Sequence, residues 1–383
     1  MPHAQLPLIY LDNNATTKPA PEVITAMVQG LETKWANPSS IHGLGQETAR
    51  ALTQARTQIA QLLGIETERI VFTSGATEAN EAIMRYYANR GAMLITSAAE
   101  HPAITGYYLK YKPQHVYFVP LDKEGRWHIE DLEKTLNKIT GQKLIAFALA
   151  HGETGVLQDL NALQTLALQY RANFLVDASQ AVGRIDVNPP PTGYFSFSGH
   201  KLHGPKGIGV LVYPENTHGI TIAVGGKQEE GRRGGTENVP GIIGLGIACD
   251  LRYRFLTHTH TYLQHLRDLF EKLILDSLSD KVSVNSINAS RIPNTSHLTF
   301  HGIDGMALVA RLEERNIFCS QVSACSSGSP EPSPTLLAMG RSHEDAFSSV
   351  RFALSINNTR TDIETAARVI VEEVKYLRTI ISL

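Results

Sequence analysis

From residue 70 onward the chain alternates short apolar runs with stretches of helical periodicity. The runs fall at 70–72, 93–95, 116–119, 144–148 and 174–176. A run of that length, bounded by helix-length segments, reads as a buried strand followed by its crossover. Repeated, the pattern implies right-handed crossovers and a mostly parallel sheet. Runs at 194–197 and 209–213 bring the expected sheet to seven strands, so the fold class is α/β. Upstream, Pro19 and Pro21 open a helix to about residue 32, and a longer helix runs to Leu63, closed by Gly64.

A Gly- and charge-rich segment at 225–237 breaks this rhythm. Helices are expected over 239–254 and 259–278. Strands follow near Val282, at 296–300 and at 317–320, with helices at 305–315 and 361–379. The change of order places a domain boundary near residue 255.

At 383 residues the chain is long enough for two or three domains. A formal net charge of -2 gives no long-range attraction to nucleic acid or to an acidic membrane. No apolar run has the length of a membrane span. Met1-Pro2-His3-Ala4-Gln5 lacks the pattern of a secretory signal. The three cysteines, Cys249, Cys319 and Cys325, suit a reducing compartment, and a cytoplasmic location is expected. No Cys/His spacing suggests a metal site.

Chemistry gathers at two strand ends. Phe174-Leu175-Val176-Asp177 reads as a buried strand closed by a carboxylate, and open α/β sheets take ligands at such ends. Phe197-Ser198-Gly199-His200-Lys201 ends the next run on a lysine beside another basic side chain. A lysine in such company loses its proton more readily and can form a Schiff base with an aldehyde. Pyridoxal phosphate needs that amine and an acid opposite its ring nitrogen. Taken alone, Asp177 could instead be a helix cap and Lys201 a solvated surface residue.

Asp177-Ala178-Ser179-Gln180 and Ser196-Phe197-Ser198-Gly199-His200-Lys201 resemble the fold-type I, class V pyridoxal-phosphate enzymes, and among them the NifS-like cysteine desulfurases. The resemblance runs from Tyr10-Leu11-Asp12-Asn13-Asn14-Ala15-Thr16-Thr17 to Val350-Arg351-Phe352. It implies a large cofactor-binding domain over 14–255 and a smaller α+β domain formed by 1–13 with 256–383. Its most specific piece is Ser323-Ala324-Cys325-Ser326-Ser327-Gly328.

The resemblance assigns roles residue by residue. Thr73-Ser74-Gly75-Ala76-Thr77-Glu78 lies between a strand and a helix, where unpaired N–H groups favour an anion or a simple N-cap. The family likeness makes Gly75, Ala76 and Thr77, with Ser198 and His200, the cup for the cofactor phosphate. Thr236 is implied to reach the phosphate of a neighbouring subunit, hence a homodimer with shared active sites. His101 is implied to stack on the ring, and Gln180 to donate to its phenolic oxygen. Arg351 lies in an apolar run and calls for a buried partner or a ligand; the likeness makes it the clamp for the substrate carboxylate, together with Asn13. One departure stands out: His151-Gly152-Glu153-Thr154-Gly155 has Gly152 where the family commonly has an asparagine over the cofactor.

Cys325 sits among short polar residues with no apolar periodicity, whereas Cys249 lies in an apolar helical stretch and reads as core. A thiol on a loop can serve as nucleophile between the cofactor and an outside acceptor. The implied activity converts L-cysteine to L-alanine, with Lys201 moving the α-proton and Cys325 keeping the sulfur as a persulfide for an acceptor protein in iron–sulfur cluster assembly or tRNA thiolation. The rival readings are a C–S lyase acting on cysteine or cystine, a selenocysteine lyase, and a catalytically quiet sulfur-transfer partner or scaffold.

Overall fold

The computed structural model describes residues 7–215, 220–321 and 331–381. Its centre is a seven-stranded sheet. The strands are β2 (Ile70–Thr73), β3 (Met93–Thr96), β4 (Val116–Phe118), β5 (Lys143–Ala148), β6 (Asn173–Asp177), β7 (Tyr194–Ser198) and β8 (Gly209–Val212), preceded in the chain by β1 (Ile9–Tyr10). Their order is β2-β8-β7-β6-β5-β3-β4, and only β8 runs antiparallel to its neighbours. The C-terminal ends of β2, β3, β5, β6 and β7 therefore share one edge of the sheet.

Alternation along the strands sends side chains to two separate cores. Phe174 and Val176 of β6 join one apolar cluster, and Leu175 joins the other. The first cluster is covered by α2 (Gly43–Leu63), by α5 (Ile129–Lys138), by α6 (Leu160–Gln169) and by Val23 of α1 (Pro21–Thr33). On the other face lie α3 (Ala76–Ala88) and α4 (Pro102–Tyr111), through Ile83, Met84, Ile104 and Tyr108. Burial on both faces explains why these strands read as continuous apolar runs.

The sequence suggested two helices after residue 238. The structure has a single one, α7 (Val239–Leu278), 40 residues long, and residue 255 lies inside it. No glycine or proline interrupts the second half of the helix, so the expected break has nothing to cause it. The helix changes partners instead. Ile242, Leu245 and Cys249 pack on the first core, whereas Leu263, Phe270 and Ile274 belong to a third cluster. Gly246 sits where α7 crosses α2: a Cβ there would stand 2.7 Å from Ala55 Cα.

The C-terminal elements are β9 (Val282–Val284), β10 (Thr295–Phe300), α8 (Gly305–Glu314), β11 (Ile317–Phe318), α9 (Pro334–Ala338), α10 (His343–Phe347), β12 (Ser349–Ala353) and α11 (Arg360–Ile381). Most of them pack on that third cluster, while Leu336 of α9 and Ala346 of α10 join a small cluster of their own with Met339. β12, β10 and β9 form an antiparallel sheet, while β1 pairs in parallel with β11. Ile9 and Leu11 are buried in the third cluster, so the N-terminal strand packs with the C-terminal elements. No helix among the described residues is long and apolar enough to cross a membrane.

Candidate active site

Asp177 closes β6 and is buried, 7 % exposed. Its carboxylate is held by neutral donors: Asn80 Nδ2 donates to Oδ2 at 2.7 Å and the Ser179 amide to Oδ1 at 2.9 Å. Asn80 is fixed in turn by Ser196 Oγ, which donates to its Oδ1 at 2.5 Å. Asn80 drew no attention in the sequence, because a mid-helix asparagine carries no motif. A carboxylate has about four lone-pair sites, so room remains for a further donor.

Lys201 follows β7 in a short helical turn. Its Nζ donates to the carbonyls of Asn14 at 2.6 Å and Ala15 at 2.9 Å. The N-terminal segment thus reaches across to the amine. His200 places Nδ1 3.1 Å from Thr16 Oγ1, and its pKa is pushed down to about 4 by burial and then by Lys201. The ring stays neutral at ordinary pH and adds no positive charge beside the amine.

At the end of β2 the chain passes Gly75 into α3. The Ala76 amide donates to Ser198 Oγ at 2.8 Å, and a Cβ on Gly75 would come within 3.4 Å of that oxygen. Thr77 is exposed in the first turn of α3. Gly209 of β8 comes so close that a Cβ on it would meet Gly75 Cα at 2.6 Å, which leaves glycine alone at that position. Gly75, Ala76 and Ser198 therefore meet at one point, with Thr77 opening beside them.

His101 caps α4 and its Nδ1 accepts from the Ala103 amide at 3.0 Å. With Nδ1 an acceptor, Nε2 carries the proton of the neutral ring. Loss of solvent lowers its pKa, Asp177 partly opposes this, and Lys201 and His151 lower it further. Just before it, Glu100 accepts from the Ala148 amide at 2.8 Å and from Ser97 Oγ at 3.3 Å. Burial pushes the Glu100 carboxyl up to about 8.

The remaining candidates are more fully engaged than the sequence suggested. Gln180 donates through Nε2 to Asn14 O at 3.0 Å, and its Oε1 accepts from Arg184. Asn13 is buried and ties β1 to β12, donating through Nδ2 to Tyr10 O at 3.1 Å and Ala353 O at 2.9 Å. Arg351 lies in β12 with a side chain 3 % exposed. Its Nη2 pairs with Asp12 Oδ1 at 2.6 Å and its Nη1 donates to Gly152 O at 3.1 Å, while Nε is buried without an acceptor. Asp12 was visible in the matched N-terminal segment but not as the partner of Arg351.

Gly152 leaves open space: a Cβ there would meet only Gln180 Nε2, at 3.6 Å. Its neighbour Glu153, also buried, accepts from Ser333 Oγ at 2.5 Å, and His151 Nε2 lies 2.9 Å from Ala99 O and 3.4 Å from Thr335 Oγ1. These contacts tie the loop after β5 to the start of α9, downstream of Cys325. Cys325 itself lies outside the described residues. Cys249 is fully buried in the first core, and burial raises its thiol pKa. Burial likewise raises the thiol pKa of Cys319, which follows β11. Thr236 is exposed and, within one chain, lines a hollow of about 250 Å³ with Thr73, Ser74 and Gly207.

The aminotransferase class-V family model matches residues 9–365. A cysteine desulfurase of Trichormus azollae is 38 % identical over 381 residues, spanning 97 % of this chain and 94 % of that protein. The cysteine desulfurase IscS of Dictyoglomus turgidum is 37 % identical over 380 residues, covering 97 % and 96 %. Among solved structures, the NifS-like protein of Rickettsia africae superimposes with a TM-score of 0.87 at 33 % identity, over 96 % of this chain and 99 % of that one. A match of this extent, on the strand ends that carry Asp177 and Lys201, shows that the chain belongs to the class-V aminotransferase family and to its NifS-like cysteine desulfurases.

Proposed function

We propose that the protein is a cysteine desulfurase that takes sulfur from L-cysteine, releases L-alanine and passes the sulfur to an acceptor protein. The observation that carries the reading is the meeting of Asp177, Lys201 and the α3 N-terminus on one edge of the sheet, in a chain whose relatives are cysteine desulfurases. The family is dependent on pyridoxal 5'-phosphate, and the donor set fits that group. Asp177 offers an acceptor for the ring nitrogen, Lys201 an amine for the aldehyde, and the cradle beside Gly75, Ala76, Thr77, Ser198 and His200 has space and donors for the phosphate. Bound there, the cofactor supplies an electron sink for charge developing at the substrate α-carbon.

The chain's own residues do the rest. Lys201 Nζ takes the α-proton, and the Asn14 and Ala15 carbonyls orient it. His101, neutral with its proton on Nε2, would cover the cofactor ring and could donate to it. Gln180 would serve the phenolic oxygen of the cofactor through Nε2, the atom it now turns to Asn14 O. Arg351 holds the substrate carboxylate, with Asn13 fixing the strand junction behind it. The Cys325 thiolate attacks the substrate sulfur; the carbon–sulfur bond breaks, the carbon skeleton gains a proton and leaves as alanine, and the sulfur remains as a persulfide.

In this reading residues 14–255 form the large domain, and 256–383 with 1–13 the small one. The apolar clusters favour that division, with α7 as a rigid strut between them. Thr236 completes the phosphate cup of a second copy in a homodimer, and the protein works in the cytoplasm.

The test is product analysis with L-cysteine on the holoenzyme and on Cys325→Ser. The reading requires alanine from the native protein, a persulfide mapped to Cys325, and loss of alanine in the variant with cofactor binding retained. Pyruvate and ammonia, or undiminished sulfide release by Cys325→Ser, would replace it by a C–S lyase. A native protein that binds no cofactor would make it a quiet sulfur-transfer partner.

A further inference from the structure

Arg252 lies on α7, 5 % exposed, at the wall of a hollow of about 450 Å³ formed by the start of α1, the middle of α7 and the loop after β12. Its stem is set against Gly183: a Cβ there would stand 2.8 Å from Arg252 Cγ, and Gly183 has a φ of +77°, so a side chain at that position is doubly excluded. The charge of Glu22, an exposed acid on the same wall, acts on its guanidinium and partly offsets the burial that lowers its pKa. Among the described residues Arg252 makes no hydrogen bond and no ion pair, and Nε is shut off from solvent without an acceptor. A buried, unpaired guanidinium is costly and asks for an anion.

The surroundings narrow the choice of anion. Arg184, the residue after Gly183, is also buried; its hydrogen bonds go to Gln180, Asn13 and Lys201, none of them a carboxylate. A second, narrow hollow of about 20 Å³ shares Arg252 and His203 with the first and reaches Arg184 and Lys201. His203 turns Nδ1 to Lys18 O at 2.8 Å and stays neutral, so it adds no charge. Glu22, exposed at the rim, disfavours a dianion. The rest of the wall is largely apolar, with Pro21, Phe255 and Tyr262.

We propose that this hollow binds a small organic monocarboxylate, its anionic end on Arg252 and its apolar body against Pro21, Phe255 and Tyr262. The site lies behind Lys201 and is separate from Arg351. Through Gly183 and Arg184 its occupant bears on the turn that holds the Lys201 carbonyl, which makes it a place where a metabolite could tune the enzyme.

Benzoate is the probe, titrated calorimetrically into the cofactor-loaded protein. Arg252→Met should weaken binding about tenfold or more, as expected for loss of a charge-assisted hydrogen-bonded contact, and Arg252→Lys should recover part of it. Crystals soaked in 4-bromobenzoate should place the bromine signal between Phe255 and Tyr262. This arm needs no variant and separates the hollow from a carboxylate bound at Arg351. The proposal is overturned if Arg252→Met binds benzoate as the native protein does, if bromine is found only at Arg351, or if no benzoate binds. Inorganic phosphate binding as tightly as benzoate would overturn the apolar part of the assignment. None of these readings depends on which reaction the enzyme performs.

Discussion

Asp177 and Arg351 are both buried charges, yet one is held by neutral donors and the other by an opposite charge. Asn80 and the Ser179 amide satisfy Asp177 and can stay in place when a ring nitrogen arrives. Arg351 is engaged by Asp12 at 2.6 Å, so in the proposed reading a substrate carboxylate would have to displace or share that partner. The half proposed to hold the cofactor is built on the sheet, where strand ends fix Asp177 and Lys201. The facing half is carried by the N-terminal strand and β12, and its principal cation is held in a contact that binding must rearrange. Preorganisation on one side and exchange on the other is the arrangement expected where the cofactor stays and the substrate turns over.

The hardest blow to the preorganised half is Lys201→Ala. Alanine formation should fall by about 10³-fold or more, the scale of a lost proton-transfer group, with little change in thermal stability. An intact rate would remove Lys201 from the chemistry.

The exchanging half is sharpened by two substitutions that should act in opposite directions on KM. Arg351→Met should raise KM for L-cysteine by about tenfold or more, the value of a charged hydrogen-bonded contact. Asp12→Asn should lower KM, because the guanidinium no longer has to leave a carboxylate. It should also lower stability by about 3 kcal/mol in denaturant unfolding, since a buried cation loses its counter-charge. A rise in KM for Asp12→Asn would mean that the pair positions the clamp instead of competing for it.

A smaller effect belongs to the seam between the halves. Ser333→Ala leaves the buried Glu153 without its hydroxyl donor and should lower stability by about 1–2 kcal/mol. If Ser333 positions the segment that carries Cys325, kcat should drop several-fold while KM for L-cysteine stays put. Equal changes in both would limit Ser333 to a structural role.

The mildest test is thermal stability against pH. His200, His203 and His297 each have a folded pKa near 4, below the ordinary 6.5, because burial penalises the charged ring. The unfolded chain binds more protons between those values, so their stabilisation is present above pH 6.5 and is lost as pH falls toward 4. Glu100 acts in reverse: with a folded pKa of about 8 against 4.5, it removes stability as pH rises through that range. Below pH 6.5 three rings outweigh one carboxyl, and Tm should fall by several degrees on going from pH 6.5 to 5. His297→Asn should flatten the slope; an unchanged slope would show that this ring is not buried neutral.

Much of this was legible without coordinates. Apolar runs with a period set by burial on both faces gave away the parallel sheet, and the acid and the amine closing two of them pointed to the cofactor site. Where reading failed, the cause is specific. The 239–278 segment was split because its polar middle, Thr257-His258-Thr259-His260-Thr261, resembles a linker; packing on two cores carries it through as one helix. Asn80 was missed because helix position 80 meets β6 only through the crossover. Gln180 and Asn13 carry roles that only the resemblance implies, and their hydrogen bonds to the backbone of 10–14 and 353 could not be read from spacing.

The sequence by itself determined the α/β class and placed an acid and an amine, Asp177 and Lys201, at two strand ends, because those depend on local pattern and residue type. Only the tertiary structure decided the partner of each charge. Asp12 meets Arg351 across 339 positions of chain, Glu153 meets Ser333 across 180, and Arg252 Nε is buried with no acceptor among the described residues. Such pairings arise from the order in which strands are assembled and from the desolvation each charge must then offset, and neither is written in the spacing of residues along the chain.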